Sequence, residues 1–444
     1  MAFVTIPNDK PISRHSPNLA WCKLADKKIC LVYHTASSSA GALVFVQIAN
    51  FTDNGDISFE TPIYVTTIPV ACRFTFVDIC AISATKVCIS YPVESVPGKG
   101  DISEAQAATQ TTTGAFTTPT LCNLAFIDLD TGLVDRTLPV PFGATHYTTH
   151  ATLASFRQNP PVLHFDGTHV VVQSSPTMWK SSGSTATIYL YRLPRYKINP
   201  ATYEVSVTTY TNTPYMSTDW SANPMRQIQN FYFKNGIFVS RAASVVGIGV
   251  TYANLNICRE NGSTIRAPSS NTYAEYIYPM DNKYLLFTKS GNIDNMKWFD
   301  YNNVELASTL IGSNYNFDTA IDVERTDDDT LLILKTTASS YVAHGTAQQA
   351  NENVGSAQGS MYSRLQIGVF KIYPDLNFLN APPPDVELQT LPFVVRDIGQ
   401  YSKRTIFQVS DKVIALIGCF YQPIGVFGAP QFNLEKPGII TLKV

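Results

Sequence analysis

The chain carries little charge for its size. Of its 444 residues only 15% are Asp, Glu, Lys or Arg, against roughly 25% in an ordinary soluble domain. The two signs nearly cancel, leaving a formal net charge of −2, so the sequence has no electrostatic footprint for nucleic acid or anionic lipid. Long hydrophobic runs are missing as well. No stretch approaches the roughly 18 uninterrupted apolar residues that span a bilayer, so no membrane insertion is expected. The start, MAFVTIPNDKPISR, lacks an apolar h-region, and the expectation is synthesis in a host cytoplasm without export by a signal peptide. Eight cysteines are too few for a disulfide scaffold in a chain this long. Helical 3.6-residue periodicity is absent almost everywhere. There is no phosphate loop, no dinucleotide fingerprint and no nucleophile–base constellation, so no cofactor is expected.

Hydrophobic residues make up 45% of the chain, ample for a core. The missing charge is replaced by Ser, Thr, Asn, Gln and Tyr, with Tyr at 23 copies. Such a surface is wet but nearly neutral, which suits packed assemblies or sugar contacts.

A polar turn followed by an aliphatic run recurs along the chain. The copies are DKKICLVYH from 26, ATKVCISYP from 84, GTHVVVQSS from 167, NGIFVSRAA from 235, NKYLLFTKS from 282, DDTLLILKT from 328 and DKVIALIGC from 411. A strand precedes each turn, and an alternating strand such as ALVFVQI, ATIYLYRL or MKWFDY follows each run. Most copies add a fourth strand, such as ISFETPIYVT or YEVSVTTY. The unit is a four-stranded antiparallel meander, A-B-C-D. The last copy stops at its C strand, PGIITLKV, and the first is preceded by a spare strand, AFVTIP. The N-terminal strand is therefore expected to complete the last unit and remove exposed edges.

By strand pattern and closure the whole chain resembles the seven-bladed β-propeller superfamily. The resemblance is to an architecture. There is no WD or GH dipeptide, no kelch double glycine and no Ser-x-Asp-x-Gly-x-Thr-Trp box. It implies an all-β fold, a seven-bladed β-propeller of four-stranded antiparallel blades in a single domain over 1–444. The blades are expected at 18–69, 70–140, 159–212, 226–270, 271–313, 317–392 and 400–444 plus 1–8. Low charge, Ser/Thr/Asn-rich loops and a bare β-domain also resemble bacteriophage virion propeller proteins. That resemblance implies a non-catalytic tail, fibre or capsid-associated component in a larger symmetric assembly. Its partners would be other virion proteins or a host surface receptor or glycan.

The A–B turns and most C–D turns are tight, whereas long insertions fall between B and C and between D and A. In a four-stranded meander those two kinds of connection emerge on the same side, and long connections concentrate function. They hold Tyr147, Trp179, Tyr215, Trp220, Tyr341 and Tyr421, rigid aromatics suited to anchor a partner.

Other constellations have plainer readings. His146 and His150 form a His-x3-His pair, with His164 and His169 nearby. Such a pair chelates well on a helix, and this one sits between strands, so no metal is expected. Cys22 with Cys30, and Cys80 with Cys88, flank two A–B turns at identical separation. Directly opposed cysteines strain a disulfide, and small buried apolar residues are the expectation. DLDTG from 128 reads as a hairpin turn rather than a calcium loop. Asp78, Asp166 and Asp322 lie on or beside A strands. The alternative function, a glycan-acting hydrolase or lyase at a central channel mouth, would draw on carboxylates there.

Overall fold

The computed structural model describes residues 1–9, 19–35, 40–69, 77–93, 122–140, 162–173, 177–180, 188–191, 193–210, 226–234, 237–246, 249–259, 264–266, 273–279, 282–290, 293–312, 320–325, 330–336, 362–371, 386–396, 406–420, 423–424, 431–432 and 436–443. The fold is all-β. Its strands form antiparallel A-B-C-D meanders of the kind that build β-propeller blades. The chain divides into two compact units. The first comprises Met1–Pro224, Lys412–Cys419 and Pro437–Val444, and the second Met225–Asp411 and Phe420–Lys436.

In the first unit, one sheet runs Leu19–Ala25, Lys28–His34, Ala42–Phe51, then Ile57–Phe59 and Ile63–Ile68. The second runs Asp78–Ala81, Lys86–Pro92, Cys122–Asp128 and Leu133–Val140. The third runs Val162–Phe165, Val170–Gln173, Leu193–Ile198 and Val205–Tyr210. The B strands explain the aliphatic runs. Every residue from Ile29 to His34 is buried, so both faces of that strand are covered. A strand covered on one side only would alternate. Cys30, Val32, Val44 and Val46 meet Ile79, Val87, Ile89 and Ala125 in one core layer between the first two sheets. Cys88, Leu124 and Phe126 meet Leu163, Val170, Val172, Tyr196 and Ile198 in the next. Each fully buried side chain of this size contributes roughly 1.5–3 kcal/mol.

The second unit holds three further meanders. They begin at the A strands Arg226–Lys234, Tyr273–Pro279 and Ala320–Arg325 and end at the D strands Thr264–Arg266, Glu305–Gly312 and Val386–Arg396. Tyr284 stacks on Phe299 at 5.3 Å and donates through its hydroxyl to Asn303 Oδ1 at 2.7 Å. One aromatic thus ties the B strand to the C strand and the C–D turn.

Two details differ from expectation. The fourth strand of the first sheet is broken between Phe59 and Ile63, both halves pairing with Ala42–Phe51. Pro62 lies in the break, where a residue without an N–H cannot serve the ladder. A buried polar chain supports that kink. Asn8 donates to the Tyr33 hydroxyl at 3.0 Å, Tyr33 to Gln47 Oε1 at 2.9 Å, and Gln47 to the Glu60 carbonyl at 2.9 Å. In the third sheet, the C strand is Leu193–Ile198 rather than ATIYLYRL. Tyr196 and Ile198 enter the core, while Ile188–Tyr191 pairs with Thr177–Lys180 as a separate two-stranded sheet.

The last sheet has the order Ala2–Thr5, Lys436–Lys443, Val413–Phe420, Ile406–Ser410. The N-terminal strand pairs antiparallel with the C-terminal one, Ala2 opposite Thr441 and Thr5 opposite Gly438. The Ile6 N–H extends the ladder to the Pro437 carbonyl at 3.1 Å. Gly438 has a steric reason to lack a side chain. A Cβ there would lie 2.5 Å from the Phe3 ring and 2.7 Å from the Val4 carbonyl oxygen. Deleting residues 1–8 removes this ladder and also Asn8 from the polar chain, and should cost several kcal/mol. Gly438→Ala should destabilise in the same direction by a smaller amount, about 1–3 kcal/mol. Chemical denaturation of both variants checks this, and an unchanged midpoint for the deletion contradicts it.

Candidate functional site

The connections at one end of the second and third sheets are the longest in the first unit. Residues 93–121 leave Pro92 and return at Cys122. Residues 141–161 leave Val140 and return at Val162, and 174–192 separate the B and C strands of the third sheet. At the opposite end the C–D turns are short and repeat one device. Asp128 Oδ1 accepts from the Thr131 N–H at 2.8 Å and Asn199 Oδ1 from Ala201 at 2.9 Å, and within the second unit Asp300 Oδ1 accepts from Asn302 at 2.9 Å by the same device. Each turn then passes through a left-handed residue, Gly132, Tyr203 or Asn303. An Asx side chain that satisfies its own turn leaves nothing to reach out with. DLDTG is accordingly a hairpin turn. Within the second unit the C–D connection of one meander is longer, residues 372–385 joining Tyr362–Lys371 to Val386–Arg396.

The base beneath the long connections is fixed by Asp78. It is the first residue of its A strand, at the end where the D–A connection arrives, and it is buried. Its Oδ2 accepts the Leu163 backbone N–H at 2.9 Å, from the A strand of the next sheet. An innermost strand has one edge without a ladder partner, and a buried N–H there is costly unless satisfied. Asp78 supplies the acceptor and joins the two sheets that carry the insertions. Asp166 is likewise engaged. Its Oδ1 accepts from Thr168 at 2.9 Å and His169 at 2.7 Å, and Lys197 approaches Oδ2 at 3.4 Å. Burial works against its charge, but these N–H groups and the Lys197 ammonium together hold its carboxyl below the ordinary range. Asp322 lies on the A strand Ala320–Arg325, opposite Leu334. The structure therefore places two of the three expected aspartates in structural bonds.

The histidines do not assemble. His164 is in the A strand Val162–Phe165 and His169 follows the Asp166 turn, while His146 and His150 lie outside the described residues. Among the described residues no three His, Cys, Asp or Glu side chains group as metal ligands. No helix among them is long and apolar enough to cross a membrane. Cys22 pairs in register with Cys30, and Cys80 with Cys88, as the spacing predicts, and these thiols and that of Cys122 are free. Burial pushes the Cys30 thiol up to about 12, against backbone bonding at Gln47. Cys88 and Cys122 also shift upward through burial. A thiolate is the nucleophilic form, so these side chains act as small apolar residues.

Of the six expected aromatic anchors, Tyr147, Tyr215, Trp220, Tyr341 and Tyr421 lie outside the described residues. Trp179 lies in the strand Thr177–Lys180, opposite Tyr189. Sequence reading placed Trp179 in a loop and missed Tyr189 and Tyr191 as its neighbours. The available signal was a pair of short alternating runs, TMWK and TIYLY, around the Ser- and Gly-rich SSGSTA.

No protein-family model matches this chain, and no curated protein matches it. Among solved structures it is similar to the β-propeller domain of the Trilobed protease from Pyrococcus furiosus, at 9% identity over 95% of this chain and 97% of that one, with a TM-score of 0.39. The tricorn protease matches at 9% identity over 97% of this chain and 36% of its own, with a TM-score of 0.43. TolB from Acinetobacter baumannii matches at 12% identity over 67% and 53%, with a TM-score of 0.28. Likeness at this level carries no inference about activity, partner or site, and the fold statement rests on the sheets themselves.

Two outcomes follow from the base. Asp78→Ala leaves the Leu163 N–H buried without its acceptor and should cost about 1–3 kcal/mol. Asp78→Asn, which keeps a carbonyl oxygen, should recover part of that, and equal stability of all three proteins contradicts the assignment. The cysteines set an alkaline limit. A thiol whose folded value lies above its ordinary 9.0 stabilises the fold fully below that value. The contribution is lost as pH rises from there through the folded value of about 12. Denaturation midpoints should fall steadily from pH 9 upward, and a flat profile there contradicts the buried-thiol reading.

Proposed function

We propose that this chain is a non-catalytic binding and structural propeller whose N-terminal strand completes the last of seven blades. Its working surface is the side from which the B–C and D–A connections emerge. The observation that carries this reading is the asymmetry of the second and third sheets. Their long connections stand over a base fixed by the Asp78–Leu163 bond, while their C–D turns are closed on themselves by Asp128 and Asn199. A rigid base under long polar connections is the usual arrangement of a recognition surface. The setting that fits the composition is a virus particle, with the chain as a tail, fibre or capsid-associated component in a symmetric assembly. A nearly neutral, Ser/Thr/Asn/Tyr-rich surface supports contact with other virion proteins or with a host receptor or glycan. The engagement of Asp78 and Asp166 in turn and strand bonds weighs against the glycan-cleaving alternative, which needs paired carboxylates free to act.

One observation favours a second docking surface, the outer D strands. Tyr64, Leu133, Val205 and Leu306 are large exposed hydrophobics, and all four lie on D strands. The two surfaces make opposite predictions. In binding of the purified chain to virus particles lacking it, Trp179→Ala with Trp220→Ala should weaken attachment, and Leu133→Glu with Val205→Glu should leave it intact. The reverse pattern would transfer the function to the rim, and a chain that never associates with particles would end the virion reading.

A further inference from the structure

We propose that the outer edge of the third sheet is a self-pairing surface, where Val205–Tyr210 adds antiparallel to the same strand of a second copy of this chain. The inference rests on strand edges and register alone, and it goes beyond the contact reading of the long-connection side.

A fourth strand leaves one row of backbone groups without a ladder partner, and proteins blunt such edges with short strands, charge, proline or bulges. The other described fourth strands carry those devices. In the first sheet it breaks at Pro62 and bulges between Tyr64 and Thr66. Leu133–Val140 holds Asp135, Arg136 and Pro139 and bulges between Val134 and Arg136. Ala2–Thr5 is four residues long and Thr264–Arg266 three. Glu305–Gly312 opens on a glutamate and carries two register shifts. Val386–Arg396 holds Glu387, Pro392 and Arg396. Val205–Tyr210, VSVTTY, has none of them. It is six residues long, uncharged and free of proline, and it pairs with Leu193–Ile198 without a register shift. Among the described residues that is its one partner strand. Val205 and Ser206 at its start are exposed, Val205 at 48%.

The register identifies the outward groups. The Asn199 N–H donates to the Glu204 carbonyl at 3.0 Å, so the backbone of Glu204 faces the C strand. In an antiparallel strand the N–H and C=O of one residue point to the same side, and successive residues alternate. Ser206, Thr208 and Tyr210 therefore serve the inner ladder, and Val205, Val207 and Thr209 present their backbone groups outward. Pro194 agrees with this, since it is opposite Thr209, at a position where no N–H is required of it.

The spacing of those groups selects the occupant. They are even about Val207, so a two-fold axis beside Val207 pairs the row with itself. Val207 then faces Val207 of the second copy, and Val205 faces Thr209 in both directions, giving about six hydrogen bonds. Ser206 faces Thr208 at the non-bonded positions between them. The strand bears no charge, so no like charges oppose each other along this pairing. A contact of this kind uses one patch on both copies and closes after two, which suits the symmetric assembly proposed above.

The test is sedimentation velocity of the full chain at about 100 µM, a concentration suited to a small interface. The result expected is a reversible equilibrium between monomer and dimer. Thr209→Pro removes an outward N–H and leaves the inner ladder intact. It should weaken dimerisation about tenfold and leave the denaturation midpoint of the diluted chain unchanged. Ser206→Lys with Thr208→Lys sets like charges opposite each other and should weaken dimerisation about fivefold or more. Ser206→Lys with Thr208→Glu sets opposite charges across the same pairs and should stay within about twofold of the unaltered chain. Far-ultraviolet circular dichroism confirms that each variant is folded. A monomeric unaltered chain, a dimer indifferent to Thr209→Pro, or equal loss with both charge pairs overturns the proposal. A lowered midpoint with Thr209→Pro contradicts the outward assignment on which it stands.

Discussion

A strand buried on both faces needs a neighbour on each side, and much of the described structure follows from that requirement. The run Ile29–His34 in the first sheet, Val170–Val172 in the third and Val413–Ile417 in the last are covered all round. Such a sheet cannot face water, so each must be sandwiched, and the order of the chain brings consecutive sheets together. Gly55, in the first C–D turn, shows how closely the first sheet meets the strands of the last. A Cβ there would lie 3.0 Å from Val413 Cγ1 and 3.3 Å from the Thr441 Cβ. The terminal strand faces the same demand. Without Ala2–Thr5 the strand Lys436–Lys443 would end as an open, apolar edge, the kind that promotes aggregation.

Stacked sheets leave two kinds of surface for evolution to vary, and the chain treats them differently. At one end of the second and third sheets, turns are closed by the Asx side chains of Asp128 and Asn199, a solution that Asp300 repeats within the second unit. At the other, connections lengthen and an extra hairpin appears. The bond from Asp78 to the Leu163 N–H sits where these features converge. It joins one sheet to the next at the end from which the long connections leave.

Much of the fold was legible because its signal is local and repeated. A polar turn before an aliphatic run marks each A–B hairpin, and the spacing of Cys22 and Cys30, or Cys80 and Cys88, gives their cross-strand register directly. The spare strand AFVTIP and the incomplete last unit together foretold the pairing of Ala2 with Thr441. What escaped depends on partners distant in sequence. ATIYLYRL has a better period-2 pattern than LPRYKI, which contains a proline, yet the latter enters the sheet because Tyr196 and Ile198 fill the core beside Phe126 and Val172. Likewise, nothing local to Asp78 announces that the N–H it accepts lies 85 residues ahead.

The account's central claim is that the elaborated end of the second and third sheets is where the protein meets its partner. Amide hydrogen exchange measured on the chain free and bound in its native assembly tests this most directly. The result predicted is new protection in 141–161, Thr177–Lys180 and Ile188–Tyr191, with the B-strand amides equally slow in both states. New protection confined to Leu133–Val140, Val205–Tyr210 and the Asp128 and Asn199 turns, with none at the elaborated end, would contradict it.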